Sequence, residues 1–192
     1  MRFPALLLLA LTAMAGEPGT LVLDDQFNGT AIDKSWRAAK GEWKQEGGAL
    51  RGVEIPADKH AAVVRRKVAF QDGQVQLRFR LDGARQLALS INGGAGHICR
   101  VVVTPKGFRI AKDPDLKKGE KAQTLASSTS PIPTGEWHEL SLTLDGTKMT
   151  AKIGSATLTG EHPGIAEPKA DVGLPVGGSS ASFDWIRVYK TR

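Results

Sequence analysis

The sequence predicts an all-β protein built from two packed antiparallel sheets. Apolar and polar residues alternate with a period of two in several segments, the pattern of strands that bury one face. Turn signals rich in glycine, asparagine and aspartate recur between these segments, and 22 of the 192 residues are glycine. No stretch keeps a helical period over three turns. Together these observations favour a β-sandwich or barrel.

The strongest local signal is a β-hairpin in the C-terminal third of the chain. Apolar and polar residues alternate over residues 140–144 and again over residues 149–153. Asp145-Gly146 lies between them, and glycine accepts the positive φ that a tight turn requires. Two alternating segments joined by Asp-Gly predict a hairpin. Because a lone hairpin is marginal in water, this one predicts a larger sheet around it.

Further strands are predicted on both sides of the hairpin. The clearest alternation runs over residues 74–81, and the others cover residues 21–23, 61–70, 87–91, 98–103, 108–111, 172–176 and 182–189. Polar stretches with proline, at residues 112–120 and 127–134, predict loops. The apolar faces of these strands predict a buried core that includes Leu77, Phe79, Leu89, Val101, Leu142 and Ile153.

The first fifteen residues have the features of a signal peptide. A basic start at Arg2 is followed by an uncharged apolar run over residues 3–13 and by Ala13-Met14-Ala15, which suits a signal peptidase. The run is far shorter than the ~20 residues that span a bilayer, so no transmembrane segment is predicted. We expect cleavage before Gly16, export to the periplasm or the medium, and one domain over residues 16–192.

Charge and cysteine content exclude several classes of protein. The formal net charge is +6, but the basic residues are spread among acidic ones, and the longest basic run is Arg65-Arg66-Lys67. With no recognisable nucleic-acid motif, no nucleic-acid partner is predicted. Cys99 is the single cysteine, so it forms no internal disulfide, and its strand context predicts a buried apolar role.

Metal and cofactor signals are weak in this sequence. No Cys/His cluster has the spacing of a zinc site, and no cofactor is predicted. Asp24, Asp25 and Asp184 could hold a structural Ca²⁺ through their oxygens, with solvated turn residues as the alternative interpretation.

Several short motifs occur in an order that resembles a known family. They are Asp25-Gln-Phe-Asn-Gly29, Trp36, Trp43 with Leu50-x-Gly52, Gly135-Glu-Trp-His138 and Phe183-Asp-Trp-Ile-Arg-Val-Tyr189. The order resembles the concanavalin A-like jelly roll of laminarinase-type glycoside hydrolases and laminin G-like modules. Within that group it is most similar to the secreted bacterial domain family named for 3-keto-disaccharide hydrolase. Over residues 21–189 the resemblance implies two antiparallel sheets, one of them concave, and a carbohydrate partner.

The chain departs from the family-16 glycoside hydrolases at their catalytic motif. It has no Glu-x-Asp-x-Glu, and the candidate central strands hold no acidic residue before Asp82. Retaining hydrolysis needs two carboxylates about 5 Å apart, so ordinary retaining chemistry is not predicted. A 3-keto-glycoside has a different requirement, because the ketone acidifies the proton at C2. The glycosidic bond can then break by elimination, with one base and one cation at the developing enolate.

The predicted site combines basic and polar side chains on neighbouring strands. His97 is the predicted base and Arg100 the predicted cation; they point to opposite faces of a regular strand, unless a bulge at the Gly-rich loop brings them together. Arg78, Arg80, Lys112 and Asp113 are predicted to bind substrate around them. Two functions remain open at this point: a carbohydrate-active enzyme acting on 3-keto-glycosides, and a non-catalytic carbohydrate-binding or cell-envelope interaction module.

Overall fold

The computed structural model describes residues 19–191, so the predicted signal peptide lies outside the described residues. Antiparallel strands make up nearly all of its regular structure. In chain order they are β1 (Thr20–Asp25), β2 (Trp36–Lys40), β3 (Glu42–Glu46), β4 (Ala49–Val53), β5 (Ala62–Phe70), β6 (Gly73–Leu81), β7 (Ala84–Gly93), β8 (Gly96–Thr104), β9 (Gly107–Lys112), β10 (Gln123–Ser128), β11 (Trp137–Asp145), β12 (Lys148–Ile153), β13 (Ala156–Glu161), β14 (Lys169–Gly178) and β15 (Ser180–Lys190).

These strands form the two-sheet jelly-roll sandwich that the sequence predicts. The eight-stranded sheet has the order β13-β12-β11-β6-β15-β4-β3, with β1 also paired to β15. The seven-stranded sheet has the order β10-β9-β8-β7-β14-β5-β2. Neighbours in space are often distant in sequence, so the chain crosses repeatedly between the two sheets.

The core lies between the sheets and contains the residues predicted for it. Leu77, Phe79, Leu89, Val101 and Leu142 are fully buried, and Ile153 is nearly so. The strand over residues 73–81 alternates strictly, with apolar side chains inside and longer polar ones outside. Burial of such apolar surface, at roughly 25 cal/mol per Å², is the main term that stabilises a sandwich of this kind.

The predicted hairpin is present as β11 and β12. Asp145 pairs with Lys148, and Gly146 has φ of 55°, which explains why a glycine follows the aspartate. The structure also corrects the sequence prediction in detail. Lys112 is the last residue of β9 and not the start of a loop. Strands β10 and β13 were not predicted.

Helical structure is confined to two short 3-10 helices, Pro56–Asp58 and Pro163–Ala166, within residues 19–191. Nothing helical in that part of the chain has the length and apolar character of a membrane span.

Candidate functional site

A cavity of about 270 Å³ opens on the outer face of the seven-stranded sheet, and we call it the groove. This volume is just below the range of about 300–1,000 Å³ that is usual for small-molecule sites. The side chains of Ala88 and Ser90, together with Gly173, form part of its floor. Its long polar lining residues are His60, Arg65, Gln86, His97, Arg100 and Arg109.

Strand register explains how these residues come together. Ser90 on β7 lies opposite Arg100 on one side and Gly173 on the other, and Gly173 lies opposite Arg65. These residues therefore form one cross-strand row on the outer face, since directly opposite residues in a sheet share a face. The small residues in the middle of the row leave room between the two arginines.

His97 reaches the same face as Arg100 through a β-bulge. The register between β7 and β8 shifts between Ile91 and Asn92, so that Ile91 pairs with Cys99 and Asn92 pairs with His97. The extra residue, Ile98, is buried in the core. This confirms the bulge that the sequence analysis required for His97 and Arg100 to face one groove.

The tautomer of His97 is fixed by its neighbours. Asp171 accepts a hydrogen bond from Asn92 Nδ2 at 2.5 Å, and a carboxylate at neutral pH can only accept. The amide oxygen of Asn92 therefore faces the other way, where it accepts from the hydroxyl of Ser90 at 3.1 Å and from Nδ1 of His97. A neutral imidazole that donates through Nδ1 keeps an unprotonated Nε2. His97 thus carries a basic nitrogen at the edge of the groove.

The surroundings of His97 also keep it neutral. Partial desolvation of the ring lowers its pKa below the ordinary value of 6.5, although the side chain remains accessible to solvent. The guanidinium groups of Arg100 and Arg65 lower this pKa further, against the opposite effects of Asp113 and Asp171. Near pH 7 the ring is therefore in the form that accepts a proton.

Arg100 is held in place by Asp113. Its Nε lies 2.6 Å from Asp113 Oδ1, within ion-pair distance, although the N–H direction does not make a hydrogen bond. The Asp113 side chain is only 4% exposed, and its Oδ2 has no hydrogen-bond partner within the described residues. Asp113 therefore lies behind Arg100 and does not line the groove, which differs from the substrate-binding position predicted for it.

Lys112 also lies away from the groove. It is buried, and its Nζ donates to the backbone oxygen of Asp113 at 2.6 Å. Its stem packs so closely on Gly164 that a β-carbon there would lie 2.4 Å from Lys112 Cε. Lys112 instead lines a separate cavity, and His97 is among the residues that line this cavity as well.

The prediction that Arg78 and Arg80 join this site is wrong. Both belong to β6, which lies in the eight-stranded sheet, and they point away from the core on the opposite side of the molecule. Each already has an acidic partner: Arg78 binds Asp184 at 2.6 Å and Arg80 binds Asp82 at 2.5 Å. Both guanidinium groups also lie over the ring of Trp137.

Sequence reasoning missed two arginines that do line the groove, Arg65 and Arg109. Arg65 belongs to the longest basic run of the chain, but Arg65 and Arg66 are adjacent in a strand and so point to opposite faces. Nothing local to the sequence indicates which of them faces a groove. Arg109 follows Phe108 on β9, and its outward position becomes clear only from its pairing with Val102.

The acidic residues considered for Ca²⁺ have protein partners. Asp24 lies 3.3 Å from Arg187, Asp25 accepts from Trp36 Nε1 at 2.7 Å, and Asp184 binds Arg78. Over residues 19–191, no group of three or more His, Cys, Asp or Glu side chains is arranged to hold a metal ion.

Cys99 is a core residue. It is fully buried, and burial raises the pKa of its thiol to about 12. The thiol therefore stays protonated at neutral pH and is not a nucleophile.

No protein-family model and no curated protein matches this chain. Solved structures match it over most of its length. A family GH16 endo-β-1,3(4)-glucanase, SCLam, superposes with a TM-score of 0.69 at 17% identity, covering 92% of this chain and 93% of that one. The β-glucanase of Bacillus licheniformis has a TM-score of 0.67 at 9% identity, covering 90% and 99%. The carbohydrate-binding module CBM66 from Bacillus subtilis has a TM-score of 0.65 at 14% identity, covering 78% and 92%.

At identities this low, the superpositions establish a shared fold, and function has to be argued from the residues of the site. The neighbours include glucan-cleaving enzymes and a module named for carbohydrate binding, so one architecture carries both kinds of protein. The chain has the concanavalin-like jelly-roll sandwich of these carbohydrate-active proteins.

Proposed function

We propose that the groove binds a carbohydrate and that His97 cleaves a 3-keto-glycoside there by elimination. The support for binding is a concave site with a small-residue floor and several convergent donors, the usual make-up of a ligand site. Arginine, glutamine and histidine side chains can donate hydrogen bonds to sugar hydroxyl oxygens. The structural neighbours make carbohydrate a reasonable ligand class for this fold, by analogy alone.

The proposed reaction uses a base and not a carboxylate pair. Nε2 of His97 takes the proton from C2, and the electron pair of the broken C–H bond forms an enolate with the 3-keto group. Re-formation of the ketone makes a C1–C2 double bond and breaks the bond from C1 to the leaving oxygen, which takes a proton from water. The hydroxide left from that water adds at C1, and protonated His97, after exchange with solvent, returns a proton to C2, so the base is regenerated and the net change is hydrolysis of the glycoside.

Arg100 supplies the positive charge that this enolate needs. It lines the groove on the same strand as His97, and Asp113 fixes its position from behind. A preorganised cation at a developing negative charge stabilises the transition state more than the ground state. Arg65 flanks the floor from the other side and adds a second positive charge.

One observation carries the catalytic proposal: the Asp171–Asn92–His97 chain that leaves Nε2 unprotonated beside the groove. A histidine with only a packing role does not require its tautomer to be fixed through a buried amide and a carboxylate. A hydrogen bond donated by Nδ1 orients the ring and leaves Nε2 free to accept a proton, as a general base requires.

A different observation favours a second candidate, a non-catalytic carbohydrate-binding module. Of the described residues that line the groove, none is Asp or Glu. The site therefore offers no side-chain acid to protonate a leaving group, and a groove of this kind can bind a sugar without cleaving it.

Release of 4-nitrophenol from a 4-nitrophenyl 3-keto-β-glucoside tests the proposal. We expect His97→Gln to lower kcat/KM by about 10²–10⁴-fold, the usual contribution of a general base. His138→Gln is the matched control, because His138 belongs to the eight-stranded sheet and bonds the backbone oxygen of Pro133. In D₂O, elimination predicts deuterium at C2 of the released sugar.

The outcomes separate the two candidates. Release that His97→Gln does not change would remove His97 as the base. Binding of the glycoside without release by the wild-type protein would establish the module and reject the enzyme.

We also propose that the protein is exported, with a mature chain that begins near Gly16. The basic residue, apolar run and small residues at the start of the sequence support this. Intact-mass measurement of protein from the secreting cell tests it, and a mass that retains Met1 would contradict it.

A further inference from the structure

We infer that the groove recognises an acidic saccharide, a sugar chain that carries carboxylate groups, in preference to a neutral one. This inference rests on the proposed function, because it names the class of carbohydrate that the same groove takes. The observations behind it are the charge of the groove, the lack of acidic partners for two of its arginines, and a basic extension beside it.

Arginines give the groove its positive charge, and no acidic residue is among its described lining residues. Three arginines line it, Arg65, Arg100 and Arg109, together with His60 and His97. Among these arginines, Arg100 alone has a carboxylate partner within the described residues, namely Asp113, which lies behind it. A neutral sugar needs no such concentration of guanidinium groups, whereas a carboxylate accepts the paired hydrogen bonds of an arginine well.

Arg65 and Arg109 differ in this respect from the arginines of the opposite sheet. Within residues 19–191 neither of them lies within ion-pair distance of a carboxylate, whereas Arg78 and Arg80 each do. The Nε of Arg65 is buried and has no hydrogen-bond partner in the described part of the chain. A buried donor without a partner is unfavourable, so the protein itself does not satisfy the hydrogen-bonding capacity of this guanidinium.

A second cavity of about 280 Å³ continues from Arg65 along the same face and is also basic. Lys34, Arg37, Arg65 and Lys67 line it, with Asp171 as the acidic residue among its lining side chains. Arg37 lies directly opposite Arg65 in the pairing of β2 with β5. Like charges in that position destabilise a sheet, so a bound anion would relieve the repulsion.

The spacing of the cations suits a chain with a repeated charge. Arg65 on β5 and Arg100 on β8 are separated by three strand spacings, about 14 Å at ~4.8 Å each. Gly173 and Ser90 lie between them and leave the floor open. An acidic oligosaccharide is long enough to place carboxylates near both ends of this row.

Calorimetry with matched sugars tests the inference. The ligands are 1,4-linked galacturonate and glucuronate tetramers, their carboxyl-reduced neutral counterparts, and inorganic sulfate alone. We expect at least one acidic tetramer to bind about tenfold or more tightly than its neutral counterpart. That preference should shrink as NaCl rises from low to high concentration, because salt screens exposed charges.

Single charge removals locate the effect. Arg65→Gln and Arg109→Gln should each weaken binding of the acidic tetramer about tenfold more than they weaken binding of the neutral one. Arg187→Gln is the control, because it removes the same charge from β15 in the opposite sheet. Thermal unfolding of each variant shows that it is folded.

The possible results separate this inference from the proposed function. Equal binding of acidic and neutral tetramers would overturn the acidic preference and keep the carbohydrate groove. Sulfate binding as tight as the tetramer would show a simple anion site and overturn the inference. Failure of every tetramer and of the 3-keto-glycoside to bind would reject the proposed function itself.

Discussion

Asn92 accepts a hydrogen bond from Nδ1 of His97, and its own orientation is set by Asp171 on the neighbouring strand. This arrangement leaves Nε2 of the solvent-accessible His97 ring unprotonated, so that nitrogen can accept a proton. Ser90, which forms part of the groove floor, donates to the same amide oxygen. Ser90 in the floor of the groove and His97 at its edge are therefore linked through the buried side-chain amide of Asn92.

The first prediction concerns the titration of His97. Because desolvation and two nearby arginines lower its pKa, NMR should show a value below 6.5 and an Nδ1-protonated neutral ring. In the proposed reaction the neutral form is the base, so activity should be present above this pKa and lost as pH falls through it. Arg100→Gln removes a charge that lowers the pKa and frees Asp113, so the acid limb should move to higher pH. A wild-type pKa at or above 6.5 would contradict this account.

The second prediction concerns the core. Leu142 is fully buried on β11, at the centre of the sandwich. Leu142→Ala should lower the free energy of unfolding by about 2–5 kcal/mol, because it removes buried apolar surface and leaves a cavity. Urea unfolding measures the change, and a loss below about 0.5 kcal/mol would mean that the site tolerates the truncation as a surface position does.

The third prediction concerns the floor of the groove. A β-carbon at Gly173 would lie 3.5 Å from Arg65 Cγ and 3.6 Å from Ser90 Cβ, which are ordinary contacts. Gly173→Ala should therefore fold and gain about 0.5–1 kcal/mol of stability, since glycine is unfavourable within a strand. The added methyl group occupies the floor, so affinity for the saccharide should fall. Unchanged affinity in a stable variant would place the ligand elsewhere.

The fourth prediction concerns the facing arginines at the basic end of the groove. Since Arg37 lies opposite Arg65, Arg37→Gln should stabilise the unliganded protein by about 0.2–1 kcal/mol at low salt. The gain should shrink at high salt, where the repulsion is screened in both proteins. Urea unfolding at two salt concentrations measures it, with Arg187→Gln as the comparison. A loss of stability in Arg37→Gln would show that the two charges do not repel.

The sequence was sufficient to predict the class of fold and much of the core. Alternation over residues 74–81 identified a strand and the inward face of Leu77 and Phe79, because a period of two has a direct structural meaning. The same pattern does not say which sheet a strand joins. Which sheet a strand joins depends on pairing between segments far apart in the chain. As a result, Arg78 and Arg80 lie in the eight-stranded sheet and His97 lies in the seven-stranded one.

The candidate site was predictable only in part for a related reason. His97 and Arg100 were predicted for the site and both line the groove, but their shared face depends on a bulge that the glycines before them merely permit. Arg65 was not predicted, because it is adjacent to Arg66 on β5 and the sequence does not show which of the two faces the groove. Asn92 and Asp171 belong to no recognisable local sequence motif, and the hydrogen bonds that join Asp171 to Asn92 and Asn92 to His97 form only when β7, β8 and β14 pair.

The central claim is that the outer face of the seven-stranded sheet is the ligand-binding face. Two-dimensional NMR of ¹⁵N-labelled protein, titrated with the tightest-binding saccharide, tests it most directly. We predict that backbone shifts concentrate at Arg65, Ser90, His97 and Gly173, which line the groove. Shifts concentrated at Arg78, Trp137 and Trp185, on the outer face of the eight-stranded sheet, would contradict the account.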